Sequence, residues 1–175
     1  MNYSDFRQSE FFKFFNLMEQ SSIKVDIDQK KLYFKTGGFQ EHIDIYLYVN
    51  NNYLITQSEL YLDRKWIGNT KSINPFGIDI SKSFIDLFIP EDPEKEFKKH
   101  LVHYLFNLRG DEQVVIPLHR AFIDFEESVP EIVPFLNVYR NNKNKIKKTT
   151  QNYNLIMENI IQNQKDRLLI RIDSY

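Results

Sequence analysis

The segment His42-Ile43-Asp44-Ile45-Tyr46-Leu47-Tyr48-Val49 alternates apolar and polar residues without a fault. After Asn50-Asn51-Asn52 the chain returns as Tyr53-Leu54-Ile55-Thr56-Gln57-Ser58-Glu59-Leu60-Tyr61-Leu62-Asp63. A period of two marks a half-buried strand, and asparagine tolerates the positive φ of a tight turn. Residues 42–63 are therefore expected to form an antiparallel hairpin. Its register is well specified, because a one-residue slip would turn every apolar side chain into water. One face, with Ile43, Ile45, Leu47, Val49, Leu54, Leu60 and Leu62, is expected to be core. The other carries His42, Asp44, Tyr46, Tyr48, Gln57, Glu59, Tyr61 and Asp63 and is expected to be wet or covered only in part.

Upstream, Ile23–Ile27 and Leu32-Tyr33-Phe34 read as two more strands around a turn at Asp28-Gln29-Lys30. Residues 4–20 read as one helix capped by Ser4, with Phe6, Phe11, Phe14, Phe15, Leu17 and Met18 on half of the wheel. Downstream, Trp66-Ile67-Gly68 closes the meander, and Ser81 caps a short helix stopped by Pro90. A stronger helix opens at Pro93-Glu94-Lys95-Glu96 and closes at Arg109-Gly110. Val114-Val115-Ile116 has strand composition. Pro117, Pro130 and Pro134 break up residues 117–139. Residues 143–165 are expected to be a polar helix with Ile146, Tyr153, Ile156, Ile160 and Ile161 on its thin apolar face, and Leu168–Ile172 a last strand. The expected architecture is α+β: one domain over residues 1–175, with an antiparallel meander over roughly residues 22–68 packed against several helices.

Length and composition agree with that class. A chain of 175 residues supports a core unaided, and 42% hydrophobic with 27% charged residues is ordinary for a globular domain. The absence of cysteine excludes disulfides, thiolate metal sites and a cysteine nucleophile. A net charge of −1 makes the chain as a whole no platform for nucleic acid or anionic lipid. Twenty Ile, 16 Lys and 16 Asn against a single Ala follow AT-rich codons, as in a low-GC bacterium, a phage or an AT-rich eukaryote. The richness in Phe and Tyr is then partly a codon effect. The acidic start and the lack of a long apolar run fit a cytoplasmic protein without a membrane span.

No motif names a reaction. Gly37-Gly38 fits no phosphate-binding spacing and reads as a turn. Glu96, His100 and His103 share one helix side, opposite Phe97 and Leu101, where a solvated face is the expected reading; neither a metal nor a cofactor is expected. Asp44, Asp63 and Lys65 imitate the two acids and lysine of a Mg²⁺-dependent nuclease, but Arg64 stands where such sites carry an apolar residue. Arg140, Lys143, Lys145, Lys147 and Lys148 form a basic run within 140–148 that would suit a nucleic-acid-binding regulator. The profile that remains is that of a non-enzymatic domain binding another protein. The concrete expectation is a bacterial or phage immunity or inhibitor protein that occludes a basic toxin or defence enzyme. Its expected contacts are Asp44, Tyr46, Tyr48, Glu59 and Tyr61 on the hairpin and the acidic Glu126, Glu127 and Glu131, with tyrosines as anchors and acids for steering.

Overall fold

The computed structural model describes residues 1–69, 72–90, 96–106 and 130–175, the side chains of residues 96 and 106 excepted. The hairpin forms as expected from β3 (Ile43–Asn50) and β4 (Ile55–Asp63), which pair Ile45 with Leu60 and Tyr46 with Glu59. Before it come β1 (Met18–Asp26) and β2 (Gln29–Lys35). After the helices, β5 (Lys145–Thr149), β6 (Tyr153–Gln162) and β7 (Lys165–Ser174) return the chain to the sheet. The order is β1-β2-β3-β4-β7-β6-β5, antiparallel throughout. The meander is thus four strands of a seven-stranded sheet, and β7 pairs with β4 at its centre.

The 143–165 helix is not formed. Tyr153, Leu155 and Met157 are buried at alternate positions in β6, which is a strand's period rather than a helix's. The turn into β7 is two residues long, Asn163 and Gln164, with φ of 51° and 63°. Two positive φ values match the right-handed twist of the flanking strands. Glutamine has no special tolerance for that region, which is why the sequence does not announce the turn.

The 4–20 helix is also corrected. It is two short helices, α1 (Tyr3–Gln8) and α2 (Glu10–Phe14), and by Met18 the chain is already strand. Ser9 makes the break at ψ 154°: its hydroxyl donates to the Phe6 carbonyl at 2.7 Å and accepts from the Phe12 amide at 3.2 Å. A side chain that satisfies the backbone locally competes with helix continuation. Asn2, not Ser4, caps α1. Phe6, Phe11, Phe15 and Leu17 are buried, but Phe14 is 75% exposed.

Trp66-Ile67-Gly68 belongs to a single turn, α3 (Arg64–Ile67), capped by the Asp63 carboxylate. The next helix, α4 (Pro75–Phe88), starts at the Asn74 cap with Pro75 in its first turn. Ser81 lies within it, buried, with its hydroxyl donating to the Gly77 carbonyl. Two further helices are α5 (Glu96–Phe106) and α6 (Val133–Tyr139). The readings at Pro93–Lys95, Arg109-Gly110, Val114–Ile116, Glu126 and Glu127 lie outside the described residues. Among the described residues no helix is long and apolar enough to cross a membrane.

The helices sit on the apolar sheet face. Phe6 packs edge-on against Phe34 at 5.6 Å and lies 5.8 Å from Phe88. Ile43, Ile45, Leu47, Leu60, Leu62, Leu168, Ile170 and Ile172 are all fully buried there. Leu54 departs from expectation at 43% exposed. A bulge after Tyr48 sets Ile55, 4% exposed, against Val49 in its place.

Candidate functional site: the open sheet face

Alternation sends the remaining strand side chains to the opposite face. Pairing registers arrange them in rows. One row runs Tyr33, Tyr46, Glu59, Arg171, Ile156, Lys147, and the next runs Ile23, Lys31, Tyr48, Gln57, Asp173, Asn154, Thr149. A third row holds Lys35, Asp44, Tyr61, Leu169, Glu158 and Lys145. The Tyr33 and Tyr46 rings stack at 4.8 Å, and Tyr46 meets Tyr61 edge-on at 5.6 Å. Such pairs contribute about 0.5–1.5 kcal/mol beyond the area they bury, which favours this arrangement of the rings.

All five hairpin residues expected in the site, Asp44, Tyr46, Tyr48, Glu59 and Tyr61, share this face. The two acids, however, are already committed. Asp44 is 7% exposed; it accepts from the Tyr33 hydroxyl at 2.6 Å, pairs with Lys35 at 2.5 Å and is bridged to Arg167. Burial opposes its charge, yet these three donors hold its carboxyl below the usual carboxylate range. Glu59 accepts from Gln57 at 2.6 Å and from the Tyr61 hydroxyl at 3.1 Å. Burial and that carboxylate push the Tyr61 phenol up, and burial with the Asp44 bond does the same to Tyr33. Both stay neutral hydroxyl donors. Asp44 and Glu59 therefore organise the face rather than project from it.

Glu131 stands elsewhere. It pairs with Lys148 at 2.7 Å, and Lys148 shares the helix-side face with Leu155, its ammonium 4.2 Å from the Phe97 ring centre. Asp63 caps α3 through the Lys65 amide at 2.9 Å and lies 3.7 Å from His42 Nδ1. Lys65 is exposed on α3. Of the acid-acid-lysine set expected for a nuclease, Asp44 is already paired with two cations, Lys35 and Arg167. Among the described residues no group of three or more His, Asp or Glu is placed to hold a metal ion. The basic run is partly neutralised too, Lys145 by Glu158 at 2.8 Å and Lys148 by Glu131.

Sequence reading missed Lys31, Tyr33, Lys35, Arg167, Leu169 and Arg171. Parity was the available signal: each lies at an alternate position of its strand, but the pairing of β7 with β4 had to be known first. Comparison of the chain with protein-family models, with curated proteins and with solved structures finds no match.

Proposed function

We propose that the chain is a protein-binding domain that uses the open sheet face as its interface, acting in the cytoplasm as an immunity or inhibitor protein that occludes its target. One observation carries the reading: a broad face set with half-buried tyrosines, beside which Asp44 and Glu59 are satisfied from within. Six interstrand spacings by about eight residues of strand give roughly 750 Å², close to the ~800 Å² each partner contributes to a standard interface. Tyrosine anchors such a contact at low entropic cost. Internally paired charges need no rearrangement on binding, which favours tight association.

The test is capture from the native cell with the wild-type, Tyr46→Ala and Tyr48→Ala chains, then assay of the captured protein's activity against added wild-type chain. The expected outcome is a partner whose activity falls to zero at stoichiometric amounts and whose affinity drops by about 1–3 kcal/mol with either alanine. A partner held equally by all three chains, or fully active in excess chain, overturns the proposal. So does Mg²⁺-dependent cleavage of nucleic acid by the purified chain that is lost in Asp63→Ala.

A further inference from the structure

The charges of the open face balance almost completely. Its carboxylates are Asp26, Asp44, Glu59, Asp63, Glu158 and Asp173. Asp44 is held by Lys35 and Arg167, Asp173 by Arg171 at 2.7 Å and Glu158 by Lys145, whereas Asp63 accepts from the Lys65 amide of α3 and Asp26, exposed at the rim, from the Ile27 amide. Glu59 takes its two hydrogen bonds from Gln57 and Tyr61. Among the described residues three cations are left over, one of them Lys165 at the exposed start of β7. Lys147 is exposed on the outer strand β5, far from the tyrosines. Lys31 is half-buried among them, its ammonium 4.2 Å from the Tyr46 ring centre and 5.1 Å from that of Tyr48. Beside it on β1, Ile23 is 60% exposed.

Any molecule that covers Tyr46 and Tyr48 must also cover Lys31. The rings supply part of the compensation for lost water, but an ammonium sealed in an interface without a carboxylate is strongly penalised. The same penalty disfavours a basic partner over the tyrosines, because the acids beside them, Asp44, Glu59 and Asp173, are already bonded within the face. We infer that the open face takes an acidic protein surface, one carboxylate of which lands on Lys31 between Tyr46 and Tyr48. This rests on the binding reading above and reverses the sign of partner charge expected from the sequence. Nucleic acid fits less well: six carboxylates lie among the seven lysines and arginines of the face, and a phosphate backbone wants an uninterrupted cationic track.

The probes are fluorescein-labelled decaglutamate, decalysine and an oligothymidylate of similar length, titrated against the full chain by anisotropy at low and raised salt. Tyrosine ring resonances report the location of binding. Decaglutamate is expected to bind and to shift Tyr46 and Tyr48, with affinity falling about tenfold in Lys31→Gln and with added salt. Lys31→Arg is expected to retain binding, and thermal melts check that both variants keep the fold. Failure of decaglutamate to bind, indifference to Lys31→Gln, or tighter binding of decalysine overturns the inference; tighter, Lys31-dependent binding of the oligothymidylate overturns it in favour of nucleic acid. Repeating the native-cell capture with Lys31→Gln separates the two claims. A partner lost with Tyr48→Ala but kept with Lys31→Gln defeats the acidic contact alone, whereas one kept with both defeats the face as interface.

Discussion

Replacing Arg64 tests how α6 is fastened to the sheet. Arg64 is 8% exposed and forms no ion pair with a carboxylate among the described residues. Its guanidinium donates to the carbonyls of Tyr139 at 2.5 Å and Val138 at 2.8 Å, and to the Asn159 side chain. Those carbonyls end α6, where the helix dipole favours a cation. Burial lowers the guanidinium from the usual arginine range to about 10. At 1.36 kcal/mol for each tenfold change in proton affinity, that costs about 3 kcal/mol. Three charge-assisted hydrogen bonds contribute roughly 1.5–3 kcal/mol each, so the balance still favours arginine. Arg64→Met removes the burial cost but orphans the Tyr139 carbonyl and an Asn159 acceptor; the expected loss is about 3 kcal/mol. Arg64→Lys should lose about 2 kcal/mol, since one ammonium cannot span three divergent acceptors. A cation whose folded pKa is depressed costs stability, fully below the folded value and relieved only as pH climbs past it. The difference between the arginine and methionine proteins should therefore be flat from roughly pH 6 to 9. Urea unfolding measures both quantities, with the midpoint moving at constant slope. A methionine variant as stable as wild type would refute the reasoning, because the buried cation would then be a burden rather than a fastening.

Leu47→Asp places a carboxylate where the side chain is fully buried and should cost at least about 4 kcal/mol or prevent folding, read by circular dichroism. Asp44→Asn leaves Arg167 buried without its carboxylate and should cost about 3–5 kcal/mol in denaturant titration, with part regained in Asp44→Asn/Arg167→Met. Because the folded Asp44 pKa is depressed, its contribution should be intact above pH ~3.9 and lost as pH falls below; acid titration of the wild type and Asp44→Asn should differ in slope there. Gln164→Gly relieves a φ of 63° and should raise stability by about 1 kcal/mol in a thermal melt, in contrast to the same change at an extended position.

The hairpin at residues 42–63 was legible because both of its strands alternate and one face is oily. That pattern also assigned Asp44, Tyr46, Tyr48, Glu59 and Tyr61 to one side. The segment after residue 143 was not legible. Its apolar residues are thin enough to suit a helix stripe, and its turn uses glutamine where glycine would have declared a hairpin. The first helix failed at Ser9, whose competition with the backbone is decided by local bonds too weak to stand out against a continuous apolar stripe.

Composition and alternation by themselves determined an α+β domain, the hairpin, its buried face and the tyrosines opposite. Tertiary structure alone decided which of those polar residues are bonded to one another. Lys35 and Arg167 come from β2 and β7, 9 residues before Asp44 and 123 residues after it, and only the pairing of β7 with β4 brings Arg167 within reach. Whether a carboxylate is free or spent depends on neighbours supplied by other strands, a long-range fact that local periodicity does not encode. Asp44 and Glu59, which looked like steering charges in the sequence, are bonded within the face, and the charge without a carboxylate among the tyrosines is Lys31.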